Sequence, residues 1–85
     1  MSQSFFMDIK GVSRFYVIQA DGAEGRSETI SDEKEFLKLE DALSLIEQSE
    51  APVKYLKFNM EGSEYKLYPI VDSEEYKVVK NPILN

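Results

Sequence analysis

Apolar and polar residues alternate over residues 53–71, VKYLKFNMEGSEYKLYPIV, on both sides of Glu61-Gly62, and this pattern predicts a β-hairpin. Val, Leu, Phe, Tyr and Ile suit its strands, and Gly62 supplies the positive φ that a tight turn needs. With Met60 opposite Ser63, the register follows by counting: Asn59 meets Glu64, Phe58 meets Tyr65, Lys57 meets Lys66, Leu56 meets Leu67 and Tyr55 meets Tyr68. Opposed residues share a face of the sheet. One face therefore carries Leu56, Phe58, Met60, Tyr65 and Leu67, a core face. The other carries Tyr55, Lys57, Asn59, Lys66 and Tyr68, with Val53 and Ile70 towards its end.

Upstream, residues 5–10 are short and apolar enough for a strand, and Gly11 separates them from a clearer one at residues 14–20, RFYVIQA. A polar loop over residues 21–25 leads to RSETI at residues 26–30, which is expected to return antiparallel to RFYVIQA. From Ser31 the period turns helical: Phe36, Leu39, Ala42, Leu43 and Ile46 fall within about 120° of arc at 100° per residue. Ser31 or Asp32 can cap this helix, and Pro52 ends it at or before Ala51. A competing parse keeps residues 35–39 extended and starts the helix near Glu40. Beyond the hairpin, residues 72–74 form a turn and YKVVK at residues 76–80 a further strand, stopped by Asn81-Pro82. Pro69 lacks an amide hydrogen, so its strand is expected to lie at an edge there or to bond only through its other side. Ile83 and Leu84 either fold back on the core or hang loose.

The order, approximately ββαβββ, implies an α+β fold: a small antiparallel sheet of four to six strands with one helix packed on one face, in a single domain over residues 1–85. The other face is expected to be uncovered. Short links favour sequential hairpins over crossovers.

Candidate chemistry changes this picture little. Without histidine or cysteine, the usual triads and thiol nucleophiles are excluded, and zinc would need carboxylates alone. Asp72, Glu74 and Glu75, or Asp21 and Glu24, lack the spacing of a calcium loop, and no glycine pattern matches a phosphate cradle. No catalytic, cofactor-binding or metal residue is assigned, and the chain reads as a non-enzyme. The absence of cysteine suits a reducing compartment, and no signal-like or membrane-spanning run is seen, so a cytoplasmic location is expected.

Charge changes the picture more. The net charge is -6, yet residues 21–50 alone sum to -7, ten acids against Arg26, Lys34 and Lys38. Such a field disfavours duplex DNA. On the longer helix, Glu33, Glu40 and Glu47 repeat every seven residues, about 10 Å apart along the axis. Leu37 and Leu45 lie outside the buried stripe, near Asp41 and Ser44. Glu33, Leu37, Glu40, Asp41, Leu45 and Glu47 are therefore the expected partner-binding residues, suited to a basic surface with an apolar centre. The plainer reading is a wet helical face.

The function expected from these surfaces is a small acidic protein-binding module or inhibitor, including one that presents carboxylates where nucleic-acid phosphates would sit. An alternative is single-stranded nucleic acid stacking on an exposed Tyr55, Lys57, Lys66 and Tyr68 face, although an ordinary solvated sheet face has the same composition. Another is a homodimer formed through open edges or the tyrosine face.

Overall fold

The computed structural model describes Ile9 and residues 11–83. Its elements are β1 (Phe15–Asp21), β2 (Thr29–Phe36), α1 (Leu39–Gln48), β3 (Val53–Met60), β4 (Ser63–Pro69) and β5 (Tyr76–Pro82). The strands form one antiparallel sheet in the order β2-β1-β3-β4-β5, and α1 packs against β1, β3 and β2. The expected ββαβββ order and α+β class are what the chain adopts. Of the expected strand at residues 5–10, only Ile9 lies within the description; it belongs to no strand and packs into the core. Among the described residues no helix is long and apolar enough to cross a membrane.

The β3-β4 hairpin has the counted register, from Met60↔Ser63 to Leu56↔Leu67. Its two turn residues, Glu61 and Gly62, both take positive φ, at 52° and 77°. That backbone twist matches the twist of the strands it joins. Leu56, Phe58, Tyr65 and Leu67 are buried with Ile9, Phe15, Val17, Ala42 and Ile46 between sheet and helix. Stacking is tight at the centre: the Phe58 ring lies 5.3 Å from Tyr65, nearly parallel, and 5.8 Å from Phe15, edge-on.

Three expectations about element bounds are corrected. The helix begins at Leu39, as in the shorter parse, because residues 31–36 are in β2 and pair with β1 up to Phe15↔Phe36. In a strand, Phe36 shares the face of Phe15, so it reaches the same core that a helix would have offered it. Ser31 and Asp32 therefore cap nothing; Lys38 holds the N-cap position without a side-chain bond, and Glu40 and Asp41 complement the dipole. β2 itself starts at Thr29, three residues later than the expected return strand, because the preceding loop is used elsewhere.

β5 runs through Asn81 and Pro82 instead of stopping before them. Ile83 N–H donates to Gly62 O at 3.0 Å, which makes Gly62 and Ile83 a bonded pair and the adjacent Ser63↔Pro82 a non-bonded one. Pro82 thus lacks a donor that the ladder to β4 does not use. Similar phasing places Pro69: Ile70 N–H donates to Glu75 O at 3.0 Å, so the nitrogen of Pro69 points away from β5, where the β3-β4 register has already ended at Leu67.

Two topological expectations also change. β2 and β3 flank β1 and both run antiparallel to it, so they are parallel to each other and α1 is a crossover over β1. The helix provides the length that a crossover needs. The second sheet face is not bare either. Glu24 makes an ion pair with Lys77 on β5, and the Tyr68 hydroxyl donates to Glu28 Oε2 at 3.1 Å. Since β5 lies three strands from β1, roughly 14 Å away, residues 22–28 must cross the face as a strap. Ile18, Ala20, Val53, Tyr55 and Tyr68 form a second buried cluster there.

Candidate partner-binding surface

The acidic segment spreads over three places. Glu24 and Glu28 belong to the strap and are engaged with Lys77 and Tyr68. Asp32, Glu33 and Glu35 lie on β2, an edge strand exposed along nearly its whole length. Glu40, Asp41 and Glu47 lie on α1, with Glu50 just beyond it.

On α1, Ala42 and Ile46 are buried, and Leu39 and Leu43 pack beside them. Counting 100° per residue, Glu40 and Glu47 then stand within about 20° of each other along one border of the buried stripe, two turns apart. Both are exposed, as are Asp41, Ser44 and Gln48. Leu37, in the two-residue link before the helix, is 71% exposed.

Two of the six expected residues sit differently from the expectation. Glu33 is on β2, paired with Ile18, and so projects from the sheet face opposite α1; the row Glu33-Glu40-Glu47 does not form. Leu45 is half-buried against the core instead of outward. The structure thus brings together Glu40, Asp41 and Glu47 on one helix, with Leu37 at its start.

It also adds residues that spacing did not reveal. The register steps from Gln19↔Asp32 to Ala20↔Ile30, so Ser31 is the extra residue of a bulge, and its hydroxyl donates to Gln19 O at 3.0 Å. Gln19 Nε2 donates to Asp32 Oδ2 at 3.4 Å while Gln19 Oε1 accepts from Ser49 Oγ at 2.6 Å. This chain of bonds ties the end of α1 to β2 and sets Asp32 on the helix side of the sheet. Asp32 reads in the sequence only as a helix cap, and nothing but the local charge excess marks Glu50.

Few of the acids among the described residues are engaged by cations. Arg14 pairs with Glu35 at 3.6 Å, Lys77 pairs with Glu24, and the Lys34 ammonium sits 5.7 Å from the Phe36 ring. Among the described residues, Glu33, Glu40, Asp41, Glu47 and Glu50 have no ion-pair partner. Also among the described residues, no three carboxylates are grouped as a metal site would require.

The alternative site is corrected in its exposure. Tyr55 and Tyr68 are only 3% and 5% exposed, with ring centroids 4.7 Å apart. Lys66 stands 5.6 Å from the Tyr55 ring, and Lys57 lies 5.8 Å from Tyr16. The opposed lysines Lys57 and Lys66 are thus each drawn to an aromatic ring, and the tyrosine pair offers no open face on which a base could stack. Alternation along the chain does not reveal the strap, whose two tethers span strands far apart in the chain.

Burial, then the charge of Glu28 and a hydrogen bond to it, push the Tyr55 phenol up to about 12. Burial and the bond to Glu28 raise Tyr68 as well. Unfolded tyrosine titrates near pH 10, so the folded state holds protons that the unfolded chain releases. Stability is therefore complete below about pH 10 and falls as pH rises towards about 12. Denaturant midpoints measured across that interval should decline, and Tyr68→Phe should flatten the decline while costing about 1 kcal/mol at neutral pH. An unchanged alkaline slope in that variant would show that Tyr68 is not held as described.

Burial, and after it the charge of Glu47, raise the Tyr76 phenol pKa. Comparison with models of protein families, with curated proteins and with solved structures found no match to this chain.

Proposed function

We propose that this chain is a non-enzymatic binding module that docks the acidic face of α1 on a basic surface of a partner protein. The observation that supports it is the set Glu40, Asp41, Glu47 and Glu50, exposed and without a cation partner among the described residues, although Lys34 and Lys38 are close in sequence. Acids retained without compensation repel one another, and a cationic partner relieves that repulsion. Leu37 adds an exposed apolar contact at the start of the same helix. A partner surface built to hold nucleic-acid phosphates has the required chemistry, and carboxylates two helical turns apart can occupy such positions.

The triple variant E40K, D41K and E47K tests this. It should keep the wild-type circular dichroism and lose capture of basic proteins from a lysate. A control with Glu61, Asp72 and Glu75 changed to Lys alters net charge equally and should keep capture. Equal capture by both variants would refute the docking face, and release of the captured protein by excess DNA would mark its site as a phosphate-binding one.

A further inference from the structure

The sheet has two edges, and they are built differently. β2 is guarded: the bulge at Ser31 breaks its register, and Asp32, Glu33 and Glu35 crowd one short stretch. β5 keeps an unbroken register with β4 over all seven residues. Lysines commonly guard an edge, but those of β5 are drawn onto the sheet faces. Lys77 is paired with Glu24 and stands 5.6 Å from the Tyr68 ring, and Lys80 lies 5.8 Å from the Tyr65 ring.

The bonds Ile70 N–H to Glu75 O and Ile83 N–H to Gly62 O fix the phase of the ladder. Bonded and non-bonded pairs alternate in an antiparallel pair, so Lys77, Val79 and Asn81 bond inward to β4. The backbone groups of Val78 and Lys80 point outward, and among the described residues no strand lies beyond them.

We infer that β5 is a self-association edge, where a second copy of this chain pairs antiparallel about a two-fold axis perpendicular to the sheet and passing through Val79. Val79 then opposes its own counterpart, Val78 opposes Lys80 of the copy, and Lys77 opposes Asn81. Val78 and Lys80 both point outward, so each exchanges an N–H and a C=O across the seam. Such an axis opposes only residues separated by an even number of positions, so Lys77 and Lys80 never face each other. The same operation on β2, centred on Lys34, would set Glu33 against Glu35, which is repulsive. Val78, now 44% exposed, gains the aliphatic stem of Lys80 as a neighbour. This edge lies across the sheet from β2, so the inference stands apart from the acidic docking face.

The chain has no cysteine, so single-cysteine variants give a clean readout. On mild oxidation Val79→Cys should cross-link into a dimer, while Ile30→Cys on the β2 edge should not. Sedimentation of the unmodified chain should rise from 9.8 kDa towards twice that mass with concentration. Val78→Pro removes an outward N–H that β4 does not use, and should stay monomeric with the fold retained. A chain that remains monomeric at every concentration, or cross-linking as fast at position 30 as at 79, overturns the inference. If the proline variant fails to fold, the cysteine comparison still decides.

Discussion

Phe58→Ala should remove about 3–5 kcal/mol of stability, the cost of truncating a fully packed aromatic side chain. Phe58 is 1% exposed and joins the two halves of the helix-side core, with Phe15 of β1 against its edge and Tyr65 of β4 against its face. Each ring contact contributes beyond the area it buries, and deleting the central ring removes both together. A domain of this length has a total of about 4–13 kcal/mol. The variant should therefore unfold at much lower urea, or be largely unfolded without it. Leu37→Ala, at an exposed position, should change the midpoint little, within about 0.5 kcal/mol. A Phe58→Ala loss below about 1 kcal/mol would mean that the three rings do not pack together.

The second large effect belongs to a glycine. Gly22 has φ of 100°, and a Cβ there would stand 2.1 Å from Ser27 O and 2.8 Å from its carbonyl carbon. Both neighbours are backbone, so neither can rotate aside, and Gly22→Ala must open the strap. Left-handed strain by itself is worth about 1–2 kcal/mol. Gly25→Ala and Gly62→Ala, with positive φ but nothing within 4 Å of the added carbon, should cost no more than that. Gly22→Ala should cost at least about 1 kcal/mol more, from the lost bond between Tyr68 and Glu28 and the lost packing over the tyrosines. Its tyrosines should also titrate at lower pH, since opening the strap rehydrates them and removes Glu28. Equal destabilisation by all three glycine variants, with unchanged phenolate titration, would contradict the closed strap.

Legibility in the sequence followed the range of the interactions concerned. The register of the β3-β4 hairpin could be counted, because a two-residue turn leaves one pairing that puts Leu56, Phe58, Tyr65 and Leu67 on one face. The start of α1 could not be settled that way. Phe36 satisfies either a helical stripe or a strand opposite Phe15, and the choice falls to the free edge of β1, which gains a partner if residues 29–36 extend. Glu33 followed that choice, leaving the helix for the opposite sheet face, whereas Glu40, Asp41 and Glu47 are helical under either parse and exposed.

What the order of residues determined by itself is local and periodic: which segments alternate, which residues share a face, where the turns fall, and that negative charge gathers in the middle of the chain. Tertiary structure alone decided which carboxylates are engaged. Glu24 and Glu28 cross three strands to Lys77 and Tyr68, while Glu40 and Glu47, on the outside of α1, meet no cation among the described residues. The physical reason is that alternation and helical period act between neighbours a few residues apart. The strap, the crossover over β1 and the phase of the β5 edge depend on pairings between segments tens of residues apart, whose closure no local pattern encodes.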